Sequence, residues 1–139
     1  MYGIPKDLSL DVFIGASLER ICVGPYIMHF DFYTHQPQKY SESLKISVEG
    51  KCELLNELNE VVAFHDNLKV PFALSEDARN FLIMSGAIVT GYKIEAPHFL
   101  TLFLDSTYFN AKYKFNIYDS SDKYESFQIF LSNNEVIIV

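Results

Sequence analysis

Residues 15–33 read GASLERICVGPYIMHFDFY, and residues 86–104 answer them with GAIVTGYKIEAPHFLTLFL. Each stretch opens on Gly-Ala, runs through β-branched and apolar residues, turns at a proline (Pro25 or Pro97) and returns. On the return Met28, Phe30 and Phe32 alternate with His29 and Asp31, and Leu100, Leu102 and Leu104 alternate with Thr101 and Phe103. A period of two places alternate side chains on opposite sheet faces, so each stretch predicts an antiparallel hairpin.

Working outward, each hairpin is preceded by a segment with helical signals. Before the first, Leu8 to Ile14 offers Ser9 as a cap, Asp11 for the helix dipole, Leu8 and Phe13 at staple positions, and Gly15 as a stop. Before the second, Ser75 with Glu76 and Asp77 opens a helix whose buried side is Phe81, Leu82 and Met84, and Gly86 ends it. After the first hairpin, the polar stretch Thr34 to Ser43, with His35 and Pro37, predicts an exposed loop. Strands are then predicted at Leu44 to Val48, Cys52 to Leu55 and Glu60 to Phe64. After the second hairpin, strands are predicted at Tyr113 to Ile117, Phe127 to Leu131 and, beyond an Asn133-Asn134 turn, Val136 to Val139.

The two series align. Gly15-Ala16 matches Gly86-Ala87 at an offset of 71, Met28/Phe30/Phe32 match Leu100/Leu102/Leu104 at 72, and Asn59-Glu60-Val61 matches Asn134-Glu135-Val136 at 75. Leu44 to Val48 matches Tyr113 to Ile117 at 69. The expected fold is therefore α+β and strand-rich: two helix-plus-antiparallel-meander repeats packed about a pseudo-two-fold within a single domain, 1–139. Unit one covers about residues 8–64, a connection 65–74, and unit two 75–139.

Composition narrows the function classes. The 139 residues carry 18 acidic and 11 basic side chains, a formal net charge of -7, and 49% of them are hydrophobic. Only Arg20 and Arg79 supply a guanidinium fork, so a nucleic-acid backbone is not an expected partner, and a basic protein is. No run approaches the roughly 18 apolar residues of a membrane span, and the N-terminal residues lack a signal-peptide pattern, so a cytoplasmic protein with no membrane partner is expected. Cys22 and Cys52 have no CxxC or Cys/His spacing and read as buried reduced thiols. The oligomeric state is left open.

Motifs for chemistry are sparse. His29, His35, His65 and His98 show no metal-ligand spacing, no phosphate-cradling glycine motif is present, and Gly15-Ala16-Ser17 precedes its strand where a nucleophile elbow would follow it, so neither a cofactor nor a metal is expected. His29 and Asp31 share a strand face, for which a solvated surface is the simpler account. The acids Glu42, Glu49, Glu53, Glu57 and Glu60 accumulate in the first half, where they read as solvated strand edges or as a field that steers a basic partner.

The densest polar cluster is Asp119-Ser120-Ser121-Asp122-Lys123-Tyr124-Glu125. It lacks the glycine of an EF-hand loop, so it reads as a strand connection or as an acidic contact surface. On the second reading the partner-binding residues are Asp119, Asp122, Tyr124 and Glu125, with tyrosine supplying rigid contact area.

The segments Gly15 to Phe32, Ile46 to Gly50 and Tyr124 to Ile129 resemble a family of small bacterial proteins of unknown function, although Cys52 stands where a large aromatic residue is expected. That resemblance implies no active-site residues. In size, acidity and lack of catalytic motifs the chain is also similar to bacterial immunity proteins, which bind and neutralise cognate toxins. The expected function is thus an immunity-type inhibitor that occludes a basic toxin's active site or substrate groove. The alternatives are a small-ligand-binding domain or enzyme with its site between the repeats, and a structural protein that pairs strand edges with its own copies.

Overall fold

The computed structural model describes residues 3–34, 43–67, 69–119, 126–131 and 136–139. Ten strands follow one another: β1 (Ser17–Val23), β2 (Met28–Tyr33), β3 (Ser43–Val48), β4 (Lys51–Leu55), β5 (Val61–Asp66), β6 (Ile88–Glu95), β7 (Phe99–Ser106), β8 (Ala111–Tyr118), β9 (Phe127–Phe130) and β10 (Val136–Ile138). They form one antiparallel sheet in the order β10-β9-β3-β2-β1-β6-β7-β8-β4-β5.

The expected α+β class is corrected to all-β. The helical segments are 3-10 turns at Asp11–Phe13, Phe72–Leu74 and Ala78–Met84, and no α-helix occurs among the described residues. The α-helical expectation rested on caps, first-turn acids and stop glycines; the side chains that are buried recur instead every three residues, Leu10 with Phe13, and Ala78 with Phe81 and Met84. At 3.0 residues per turn these side chains stack on one side, and segments this short do not repay the nucleation of an α-helix. Ser9 Oγ accepts the Asp11 N–H at 3.5 Å, but no side-chain cap bonds the Ala78 turn, and Leu82, expected in the buried side, is exposed. The turns act as plugs that push Phe13, Phe81 and Met84 into the core.

The meander expectation is corrected as well. Each half forms a meander of three strands only. Its last hairpin then leaves for the other half, so that β9 pairs with β3 and β4 pairs with β8. The strand order is unchanged when β1–β5 and β6–β10 are exchanged. At the middle the only β1–β6 bridge is Ser17 with Ile88, flanked by reciprocal backbone bonds: Gly15 N to Val89 O at 2.8 Å and Gly86 N to Leu18 O at 2.7 Å. Gly15 and Gly86 sit at φ of +86° and +80°, a left-handed conformation that side chains penalise and glycine accepts. Bulges at Glu19 and Thr90 break the register on either side of this bridge and bend both strands away from it.

The sheet folds over at this narrow waist. Phe30 on β2 and Phe115 on β8 lie four strand steps apart, about 19 Å along a flat sheet, yet their ring centroids are 4.7 Å apart. The first arm (β10-β9-β3-β2-β1) and the second (β6-β7-β8-β4-β5) therefore face each other, with Phe30, Ile46 and Ile129 opposing Leu102, Phe115 and Leu54 in one continuous core. Cys52 lies buried in the second arm and Cys22 half-buried in the first, both as free thiols. No helix among the described residues is long and apolar enough to cross a membrane.

Candidate functional site

The chain changes arms twice, and both crossings meet at one corner. β3 passes to β4 through Glu49-Gly50, and β8 passes to β9 through 119–126. The Ser126 carbonyl accepts the N–H groups of both Glu49 (2.9 Å) and Gly50 (3.0 Å), which ties the two crossings together. Ser126 Oγ donates to Asp119 Oδ1 at 3.1 Å, and the Asp119 N–H donates to His98 O at 2.8 Å. Asp119 is thus held from both ends. Asp122, Tyr124 and Glu125, the other expected partner-binding residues, lie outside the described residues, as do His35 to Glu42.

Asn67 extends the corner. Its N–H donates to Gly50 O at 3.1 Å, and its side-chain amide donates to the carbonyls of Glu49 (3.1 Å) and Tyr26 (3.2 Å). Tyr26, in the β1–β2 turn, leaves 67% of its surface in solvent. The row Tyr118–Lys51–Asp66 crosses β8, β4 and β5, so Asp66 and Asp119 stand at the same end of the second arm.

Beside Asp66 opens a concavity of about 430 Å³ rimmed by Asp66, Glu76 and Asp77, with Lys69 as its basic member and Val70 and Leu74 as apolar walls. The segment that carries it was expected to be a connection at 65–74 followed by the opening of a helix at Ser75, Glu76 and Asp77. Leu74 is 72% exposed and offers apolar contact area at the rim. Asp77 Oδ2 accepts the Phe64 N–H at 3.2 Å, which occupies one donor of the β5 edge and positions this acid over the cavity mouth. Lys51 lies 4.3 Å from the Tyr118 ring and 5.6 Å from the Phe64 ring, spread over aromatic faces.

His65 lines the same concavity, although its side chain is 2% exposed. It stacks on Phe72 at 3.8 Å, while His65 Nε2 and Asn67 Oδ1 are buried with no hydrogen-bond partner among the described residues. The three carboxylates at its rim make the concavity a place for donors and cations. The alternation Ala63, His65 along β5 was the available sequence signal that His65 faces inward.

Burial holds the His65 imidazole below its ordinary pKa, partly offset by Asp66 and by a backbone hydrogen bond to Val70. Because the unfolded chain takes up this proton near about pH 6.5 and the folded chain only lower, the contribution to stability is complete above that pH. It is lost as pH falls toward the folded value. The urea midpoint of the protein drops between pH 7 and pH 5, and His65→Phe flattens that drop; parallel curves for the two proteins would assign the loss to carboxylates instead.

The other candidate chemistry does not assemble. His29 and Asp31 do not pair with each other: His29 Nδ1 lies 2.6 Å from Ser47 Oγ, and Asp31 binds Arg20 at 2.8 Å. Ser47 is 1% exposed, so its hydroxyl serves the sheet rather than a substrate. Cys52 and His65 are cross-strand neighbours, but burial pushes the Cys52 thiol far up and away from its reactive thiolate form. Among the described residues no group of three or more His, Cys, Asp or Glu side chains is arranged to hold a metal ion. No family model matches the chain, and neither a curated protein nor a solved structure matches it.

Proposed function

We propose that the chain is a protein-binding module for a basic partner, an immunity-type inhibitor that lays its acidic corner over the cationic residues with which a toxin holds its own substrate. The observation that carries this reading is the corner itself. Asp66, Glu76 and Asp77 rim a concavity sized for a basic side chain, and Asp119 stands at the same end of the arm. The exposed Tyr26 and Leu74 add apolar contact area. A lysine or arginine stem would lie along Val70 and Leu74 with its charged head among the carboxylates, the arrangement that long cationic side chains adopt at interfaces.

The test is affinity capture from an extract of the source cell with the wild-type protein and with the Asp66→Asn, Glu76→Gln, Asp77→Asn triple variant. Wild type retains a basic protein whose activity it blocks at one-to-one stoichiometry, the complex weakens steeply as salt is raised, and the variant binds at least tenfold more weakly. Identical capture by both proteins, or a captured protein that keeps its activity, overturns the reading.

A further inference from the structure

The outer face of the second arm carries a polar row that nothing at the corner uses. Lys93, Thr101, Asn116 and Glu53 stand side by side on β6, β7, β8 and β4. Thr101 Oγ1 donates to Asn116 Oδ1 at 2.6 Å, Asn116 Nδ2 donates to Glu53 Oε1 at 3.0 Å, and the Tyr118 hydroxyl donates to the same Glu53 oxygen. Burial first, and the Glu53 carboxylate second, push the Tyr118 hydroxyl up to about 12, so it stays a donor. Thr101 and Asn116 are buried although they point away from the core, because larger neighbours wall them in.

Those walls form a concavity of about 230 Å³ over the row, with Phe99 and Phe103 on either side of Thr101 and the Lys114 ammonium beside them. Phe103 and Lys114 also line an adjoining concavity of about 410 Å³. Lys114 Nζ donates to the neutral Asn59 Oδ1 at 2.8 Å, whereas Lys93 is paired with Glu95 at 2.5 Å. An ammonium held by an amide rather than a carboxylate is notable in a chain of net charge -7.

The first arm does not repeat this site. On the alignment of the halves, Asp31, locked to Arg20, stands for Phe103; Ile27 stands for Phe99, and the His29–Ser47 pair for Thr101–Asn116. The site keeps hydrogen-bonding capacity beyond its internal bonds: lone pairs on Thr101 Oγ1 and the remaining N–H groups of the Lys114 ammonium, while the Asn116 side chain is also engaged with Tyr118. A hydroxyl both donates and accepts, so a polyol matches such a row where a purely donating or accepting ligand does not. An apolar ring face beside it suits the C–H face of a sugar, and the available ammonium suits a negative substituent.

We propose that this face is a binding site for a saccharide carrying an anionic group, the ring against Phe103, a hydroxyl on Thr101, and its acid at Lys114. The site is separate from the acidic corner and stands or falls independently of it.

Amide and methyl NMR titrations of the whole protein with glucuronate, glucose 6-phosphate and glucose test the assignment and separate a carboxylate from a phosphate source. One or both anionic sugars shift the resonances of Phe99, Thr101, Phe103 and Asn116 in a saturable way, with glucose at least tenfold weaker. Lys114→Met brings the anionic sugars down to the level of glucose without changing the unfolding midpoint. Phe103→Leu weakens all three, and its spectrum elsewhere reports that the fold is kept. Absence of saturable shifts on this face with both anionic sugars overturns the proposal, as does binding that ignores the anionic group and Lys114→Met alike.

Discussion

Replacing Phe115 with alanine lowers the free energy of unfolding by about 3–5 kcal/mol, a large share of the roughly 5–15 kcal/mol that holds a domain of this size together. Phe115 is fully buried on β8, and its ring meets Phe30 at 4.7 Å and Phe81 at 6.0 Å, while Phe30 and Phe81 stand 6.2 Å apart. These three rings come from the first arm, the second arm and the plug before β6, so removing one leaves a cavity that no single element can close. Urea unfolding measures the loss. A double-mutant cycle adds the decisive number: Phe30→Leu and Phe115→Leu couple by about 0.5–1.5 kcal/mol, as touching aromatic pairs do. Phe13, whose ring partner is Phe32 at 5.3 Å, gives values additive with Phe115 within about 0.5 kcal/mol. Additivity of Phe30 with Phe115 would mean that the arms do not face each other.

The strands were legible because period-two alternation is a local property: Met28/Phe30/Phe32 and Tyr113/Phe115/Ile117 declare their faces within a few residues. Their partners were not legible. Glu49-Gly50 has the length of a hairpin turn, and a local reading joins β3 to β4 across it. In the structure the same two residues switch the chain between arms, and what fixes the switch is the Ser126 carbonyl, more than 70 residues downstream. The class was misread for a related reason. A capping serine, acids in the first turn and a stop glycine fit an α-helix and a 3-10 turn equally well, and the choice depends on how deep the core is where Phe13 and Phe81 must reach.

The corner was legible only in its charge density. Asp119 belonged to the conspicuous acidic cluster, whereas Asp66 fell in what looked like a connection and Glu76 and Asp77 in what looked like the first turn of a helix, and their convergence depends on the 3-10 turns folding back over β5. The polar row on the second arm was hidden more thoroughly. Glu53 comes from one half and Asn116 from the other, and no sequence period relates them.

Cutting the chain after Val70 leaves neither piece able to fold as a monomer and leaves their mixture competent. Fragment 1–70 retains the β1-β2-β3 meander and the β4–β5 hairpin, but these two pieces pair with strands of the other fragment and not with each other. Each piece exposes the Phe30, Ile46 and Val48 face or the Cys52 and Leu54 face to water, and a lone two-stranded hairpin is marginal at best. Fragment 71–139 is in the same position, since β9 needs β3 and β8 needs β4. As a monomer, each fragment therefore gives narrow amide dispersion and no cooperative unfolding, while an equimolar mixture gives a one-to-one complex with native dispersion. Because association replaces an intramolecular event, the midpoint of the mixture rises with concentration. One further product is informative. Since the strand order survives exchange of the halves, two copies of 1–70 can lend each other β4–β5 in place of β9–β10, giving a swapped homodimer. Its yield against the heterodimer measures how far β3 distinguishes Phe127 and Ile129 from Cys52 and Leu54. A cooperatively folding monomer of either fragment would refute the interleaved topology.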